Sequence, residues 1–151
     1  MSAPRGDDLR RRGLLAAAAF ALAAPARAAD AELGFNALYQ SIGVRGVVLS
    51  DTVRALAGQR VVMRGYMAPP LQAESHFFVL TRDPLTLCPF CQSDAEWPVD
   101  IVVVYLARAA SLLDGGARLL VRGRLEAGSW TDPQSGFVSL LRLVDAEFRA
   151  G

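Results

Sequence analysis

Five short runs of apolar and β-branched residues alternate with turn residues along this chain and predict a mainly β protein. The third run is apolar at nearly every position, so we expect a central strand that is buried on both faces. The turn-rich segment 132–136 predicts a hairpin between the last two runs. The predicted strands are Arg60–Met67, His76–Thr81, Asp100–Leu106, Arg118–Glu126 and Phe137–Val144.

Helical patterns are few and short, and we expect one or two short helices beside the strands. Ser50 is a good N-cap residue for a helix that ends near Leu56. Residues 107–113 predict another short helix, because two glycines and an aspartate follow them directly. Residues 33–42 are ambiguous and favour a short helix.

The dipeptide Arg-Gly recurs deep inside two of the predicted strands, at Arg64-Gly65 and at Arg122-Gly123. Glycine inside a strand often marks a bulge or a sharp bend at the corner of a barrel. Five strands with two such bends predict a small closed five-stranded barrel of the oligonucleotide/oligosaccharide-binding (OB) type. An open five-stranded α+β sheet is the alternative.

The first 28 residues are typical of an export signal and not of a folded domain. Four arginines precede an apolar run of 11 residues, which is too short to cross a bilayer core of roughly 30 Å as a helix. A small-residue motif predicts cleavage before Ala29. Arg11 and Arg12 resemble the twin-arginine (Tat) signal, so the Tat translocase is the expected partner during export. An ordinary Sec signal and an uncleaved membrane anchor are the alternatives.

Cleavage would leave one domain's length of chain, with an N-terminal segment at 29–54 and the barrel at 55–151. The chain has no lysine, and the predicted cleavage leaves 11 arginines against 13 acids, a formal net charge of −2. Such a domain lacks the basic surface of a nucleic-acid binder, so no nucleic-acid partner is expected. We expect no transmembrane helix in the mature chain, because no later apolar stretch reaches about 18 residues.

The only two cysteines, Cys88 and Cys91, lie three positions apart in a predicted loop. Two thiolates at this spacing can chelate one metal ion. Zinc generally takes four ligands, and His76, Asp94 and Glu96 are the candidates to complete such a site. Copper(I) needs fewer ligands and also favours thiolates.

Two other interpretations of the cysteine pair remain open. In the oxidising periplasm an unliganded pair would form a structural disulfide, which stabilises little because it closes a very short loop. The spacing also occurs at the active site of thiol-disulfide oxidoreductases, where the first thiol lies at a helix N-terminus. The predicted strands flanking the loop do not form the βαβ unit of that fold.

Aromatic residues in predicted loops indicate a binding surface. Trp97 and Trp130 are the candidates, because OB barrels bind ligands through exposed rings on one face. Tyr66 and Tyr105 lie within predicted strands, and we expect them to pack in the core. We predict no catalytic residue, since His76 and the acidic loop around Asp94 are more typical of solvated positions.

These features occur in a recognisable order. An Arg-Gly-Tyr-Met strand (64–67) with prolines behind it precedes a Phe-Phe-Val-Leu strand (77–80), a cysteine, Ile101–Tyr105 and Leu120–Glu126. Over roughly residues 55–147 this order resembles the DUF3299-type domains of uncharacterised bacterial exported proteins. The resemblance implies an OB-type barrel. It also implies a link to ABC-type permeases that handle metal, chiefly zinc.

One position departs from the pattern of that family. Its members tend to show Cys-x-His after the second strand. Here Cys88 matches the cysteine, Phe90 takes the place of the histidine, and Cys91 follows. The sequence therefore predicts a periplasmic, non-enzymatic accessory protein of a transport system that binds zinc or copper through this loop. A periplasmic thiol-disulfide oxidoreductase and an interaction module with a structural disulfide are the alternatives.

Overall fold

A computed structural model describes residues 29–44, 46–69, 74–84 and 99–151 of this 151-residue chain. Within these ranges the chain is mainly β, as predicted, with a six-stranded sheet, a two-stranded sheet and one short α-helix. The helix, α1 (Asp51–Leu56), follows a 3-10 turn at Phe35–Ala37. The described strands in chain order are β1 (Ala31–Glu32), β2 (Tyr39–Gly43), β3 (Gly46–Leu49), β4 (Arg60–Met67), β5 (Glu74–Thr81), β6 (Ile101–Ser111), β7 (Arg118–Thr131) and β8 (Val138–Ala150).

The six-stranded sheet has the order β1-β4-β5-β6-β8-β7, and β4 also pairs with β7. The β1–β4 and β6–β8 pairings are parallel, and the remaining pairings of this sheet are antiparallel. The predicted hairpin between the last two strands is confirmed, because β7 and β8 pair in antiparallel fashion across the turn at 132–137. β2 and β3 form a separate antiparallel hairpin.

Alternating burial places one face of the long strands in a common core. In β4, Val61, Met63 and Met67 are buried, whereas Arg60 and Arg64 are exposed. β6 begins with four consecutive buried residues, Ile101–Val104, which confirms the prediction of a strand buried on both faces. A smaller apolar cluster joins Val79 and Ile101 to Ala68, on the face of β5 and β6 opposite to the main core.

The two Arg-Gly positions mark places where backbone segments approach closely. A Cβ atom on Gly65 would lie 2.6 Å from the backbone oxygen of Thr81, where β4 passes from β7 to β5. A Cβ atom on Gly123 would lie 3.0 Å from the Cβ atoms of Leu143 and Ala146. The β7–β8 register shifts at this point, so the bulge predicted from Gly123 is confirmed.

The predicted helix after Ser50 is confirmed. The Ser50 hydroxyl accepts a hydrogen bond from the backbone N–H of Val53 at 3.1 Å, which caps the first turn of α1. α1 is six residues long. Within the described ranges, no helix combines the length and the apolar character needed to cross a membrane.

One helix prediction is wrong, and another is met only by a three-residue 3-10 helix. Residues 107–111 continue β6, because Ala110 pairs with Ser75 and Ser111 with Glu74, and residues 112–113 are not helical either. The alanines in this segment favour a helix locally, but the sheet satisfies their backbone groups instead. Residues 33–42 contain the 3-10 turn and then enter β2, so no α-helix forms there.

Candidate functional site

The structure locates two of the predicted site residues. His76 lies in β5 with an exposed side chain, and Trp130 lies near the end of β7. Among the described residues, no three His, Cys, Asp or Glu side chains come together as a metal site. The other predicted site residues, Cys88, Cys91, Asp94, Glu96, Trp97, Arg11 and Arg12, lie outside the described residues.

Trp130 belongs to a connected set of four aromatic rings, here called the aromatic surface: Phe77, Tyr105, Trp130 and Phe137. The Tyr105 and Trp130 rings meet edge to face, with centroids 5.3 Å apart. The Phe77 ring lies 5.5 Å from that of Tyr105 and 6.0 Å from that of Phe137. Trp130 remains 37% exposed, so a ligand can reach its ring.

Strand pairing explains why these rings meet. Phe77 in β5 and Tyr105 in β6 are direct cross-strand partners, and side chains opposite each other in neighbouring strands share one face of the sheet. Trp130 and Phe137 lie on either side of the β7–β8 turn. The aromatic surface therefore combines the middle of two strands with the tip of a hairpin.

Arg142 in β8 supports the exposed tryptophan from one side. Its Nε donates to Glu126 Oε2 at 2.9 Å, and its Nη1 donates to the backbone oxygen of Gly128 at 2.9 Å. The centre of its guanidinium lies 5.0 Å from the Trp130 ring centroid, in cation–π contact. Arg142 is only 9% exposed, so its charge is compensated inside the protein by Glu126.

Tyr105 places a phenol at the base of the surface. Its hydroxyl is buried, and among the described residues it has no hydrogen-bond partner. The pKa of Tyr105 is raised to about 12, mainly by burial and then by the negative charge of Asp132, while Arg142 acts in the opposite direction. The phenol therefore stays neutral at ordinary pH and keeps its proton as a hydrogen-bond donor.

Asp132 holds the turn that carries Phe137. Its carboxylate accepts hydrogen bonds from the Ser135 hydroxyl at 2.6 Å and from the Gln134 backbone N–H at 3.0 Å. The Ser135 hydroxyl lowers the pKa of Asp132 most, burial opposes that effect, and backbone N–H groups add to it. The backbone N–H of Asp132 also donates to the Phe137 oxygen at 2.8 Å, which closes the turn.

This arrangement suits binding better than catalysis. The Glu126 carboxylate is engaged by Arg142 and Arg124, and the Asp132 carboxylate by its own turn. The Tyr105 phenol does not titrate near neutrality. The surface therefore offers ring faces to a ligand, and none of these three groups is poised to exchange a proton with it.

The sequence predicted only part of this site. Trp130 was found because it is an aromatic residue beside a turn. Tyr105 was expected in the core, but its ring is half-buried in the aromatic surface. Arg142 and Glu126 were missed, although Arg142 is the only charged residue between Val138 and Val144. A lone charge in an apolar strand is a signal for a paired, buried charge.

No protein-family model, no curated protein and no solved structure matches this chain.

Proposed function

We propose that this protein is an exported OB-like barrel that binds a ligand on the aromatic surface and performs no reaction on it. Strand pairing supports the barrel. β4 pairs with β5 and β7, β5 also with β6, β6 also with β8, and β8 also with β7, so each of these five strands has two neighbours. Four of the pairings are antiparallel, and β6–β8 is parallel. A five-stranded Greek-key barrel can close in this way.

The position of the aromatic surface is the observation that carries the binding function. OB barrels bind ligands on the face of their second and third strands and at the loop between their fourth and fifth strands. In this chain those strands are β5 and β6, which carry Phe77 and Tyr105. The corresponding loop is the β7–β8 turn, which is flanked by Trp130 and Phe137.

The charges near the surface favour a saccharide over an oligonucleotide. Asp132 follows Trp130 closely in the turn, and the guanidinium groups of Arg142 and Arg124 are already paired with Glu126. A phosphate backbone would meet negative charge there, and the predicted mature chain carries a net charge of −2. A sugar ring can stack on Trp130 without adding charge.

The test uses isothermal titration calorimetry with neutral tetrasaccharides (cellotetraose, chitotetraose and maltotetraose) and with a single-stranded DNA oligonucleotide. We expect a tetrasaccharide to bind and Trp130→Ala to weaken binding by at least about fivefold, since a stacking contact contributes about 1–3 kcal/mol. Trp130→Phe keeps a ring and should retain most of the affinity. Binding of the DNA alone, or unchanged saccharide binding by Trp130→Ala, would contradict the proposal.

Hydrogen exchange tests the barrel separately. If the five strands close, β7 is hydrogen-bonded along both edges, so consecutive amides between Arg118 and Glu126 should all exchange slowly. In an open sheet β7 would have one free edge, and every second amide in this segment would exchange quickly.

We further propose that the Cys88–Cys91 loop binds zinc or copper(I) and that the protein acts as a non-enzymatic accessory of a periplasmic transport system. The cysteine spacing supports this, as does the exposed imidazole of His76 in the preceding strand β5.

The metal proposal is tested on mature protein purified from the periplasm. Bound metal is measured, and free thiols are counted with and without a chelator. We expect about one metal ion per chain, thiols that become reactive only after chelation, and weaker zinc binding in His76→Ala. Oxidised thiols without metal would contradict the proposal. In that case, a reduction potential below about −300 mV would indicate a structural disulfide, and a higher one a thiol-disulfide oxidoreductase.

A further inference from the structure

An open cavity of about 240 Å³ lies on the β7–β8 hairpin, away from the aromatic surface. Two cross-strand pairs form its walls: Leu120 opposite Arg149, and Arg122 opposite Glu147. Phe148 completes the lining. Eight residues of β7 separate Arg122 from Trp130, about 27 Å along an extended strand, so the cavity and the aromatic surface are separate sites.

The two arginines of this cavity are available to a ligand. Among the described residues, neither Arg122 nor Arg149 forms an ion pair. The other arginines of the hairpin behave differently, since Arg124 pairs with Glu126 and Asp145, and Arg142 pairs with Glu126. Two unpaired guanidinium groups therefore face one carboxylate, that of Glu147, which leaves the cavity with a net positive charge.

The rest of the lining is apolar and fixed in place. Leu120 is 6% exposed and lies on the same face of the hairpin as Arg122, Glu147 and Arg149. The Phe148 ring lies on the opposite face, where it packs edge-on against Phe78 of the core with centroids 5.3 Å apart and holds β8 in place. Pockets for drug-sized ligands measure roughly 300–1,000 Å³, so this cavity suits a smaller molecule. The lining thus combines a cationic rim with an apolar wall, and the volume of the cavity suits a ligand with a single small ring.

We propose that this cavity binds a small organic oxyanion, with its carboxylate or phosphate group between Arg122 and Arg149 and its apolar body against Leu120. Guanidinium groups match such oxyanions in charge and in the spacing of their N–H donors. Glu147 opposes binding through its like charge. Because these charged side chains are exposed, the affinity should fall as salt is added.

The test is an NMR titration of the isotopically labelled full chain with benzoate, phenylphosphate and acetate. We expect the amides around Leu120–Arg122 and Glu147–Arg149 to shift. Benzoate should bind more tightly than acetate, because acetate cannot cover the apolar wall. Comparing benzoate with phenylphosphate shows which oxyanion the two arginines prefer.

Charge variants make the test specific. Arg122→Gln and Arg149→Gln should each weaken benzoate binding by about threefold to fivefold, the range expected for exposed ion pairs. Glu147→Gln should strengthen benzoate binding, and a misfolded variant could not produce this increase in affinity. Arg108→Gln is the matched control, since Arg108 is an exposed arginine of β6 outside the cavity.

Three results would overturn the proposal. The first is equal weakening in Arg108→Gln and Arg122→Gln, which would indicate attraction by overall charge. The second is weaker binding in Glu147→Gln. The third is a set of shifted amides centred on Trp130, which would place the anion on the aromatic surface.

Discussion

The environment of the Tyr105 phenol makes the free energy of unfolding depend on pH in the alkaline range. Its pKa is raised from 10.0 to about 12, first by burial and then by Asp132. The folded protein thus holds this proton more tightly than the unfolded chain. The resulting stabilisation is complete below pH 10 and is lost as the pH rises through about 12.

Tyr105→Phe tests this directly. We expect the variant to lose the component of the tyrosinate absorbance titration near pH 12, and to lose less stability between pH 10 and pH 12 than the parent. At neutral pH the change should be within about 1 kcal/mol, because it removes a buried hydroxyl that has no partner in the described structure. A high-pH component that survives in Tyr105→Phe would contradict the assignment.

Gly65 is required by a close backbone approach. A Cβ atom there would lie 2.6 Å from the Thr81 oxygen and 2.9 Å from the Leu80 side chain. Gly65→Ala should therefore lower the free energy of unfolding by about 1–3 kcal/mol, measured by urea denaturation. Gly43→Ala is the matched control, since a Cβ atom on Gly43 meets nothing within 4 Å. Equal effects of the two substitutions would show that the close approach is not the cause.

Residue-scale features divide clearly into those that the sequence could predict and those that it could not. Ser50 and Gly123 act through local geometry, so their cap and bulge were predictable from neighbouring residues. Arg142 acts through Glu126, 16 residues away, and through Trp130. Such a role depends on strand register, which no local pattern encodes.

The β7–β8 turn is an element with its own pH dependence. The Ser135 hydroxyl, followed by backbone N–H groups, lowers the pKa of Asp132 below its ordinary value of 3.8, against the effect of burial. The carboxylate therefore stabilises the turn above pH 3.8, and this contribution disappears as the pH falls through the lower, folded-state pKa.

Asp132→Asn should destabilise the fold by about 1 kcal/mol at neutral pH, because it weakens the hydrogen bonds that hold the turn. The difference from the parent should shrink as the pH falls below 3.8, measured as urea midpoints over a pH series. Asp114→Asn, at an exposed aspartate in the β6–β7 connection, is the control. If the urea midpoints of Asp132→Asn and the parent differ by the same amount down to the lowest pH, the Asp132 charge has no role in the turn's stability.

The β2–β3 hairpin was not predicted from the sequence, and its burial pattern explains why. Ile42, Val44 and Val48 are exposed apolar residues, so the segment lacks the regular alternation of a half-buried strand. Residues 33–42, which include most of β2, are ambiguous in the sequence and favour a short helix. Within the described structure the strands of the hairpin pair only with each other, and it packs against the main core at its base, through Tyr39 and Leu49, so little of its sequence is constrained by the main sheet.

At the scale of the whole molecule, β8 joins parts of the chain that would otherwise stay apart. It pairs with β6 on one side and with β7 on the other. Deleting residues 138–150 should therefore abolish cooperative unfolding. The measurement is the circular dichroism signal during urea denaturation. Replacing residues 41–48 of the β2–β3 hairpin by Asn-Gly is the matched deletion and should leave a cooperative transition. Loss of cooperativity in both variants would show that the hairpin is also part of the folding unit.

The path of the chain between strands was predictable only in part. The runs that became β4 to β8 were recognisable because each has its own apolar pattern and ends at turn residues. The β7–β8 hairpin followed from a local turn. The β4–β7 and β6–β8 pairings join segments far apart in sequence, and many registers would satisfy the same apolar patterns.

The place of β8 in the strand order also has a consequence for biosynthesis. β6 leaves the ribosome before β8, and at about 5–20 residues per second the interval between Ser111 and Ala150 lasts roughly 2–8 seconds. During that time β6, apolar on both faces, has one edge without its final neighbour. Nascent chains halted in this interval should be the form that aggregates and that molecular chaperones bind.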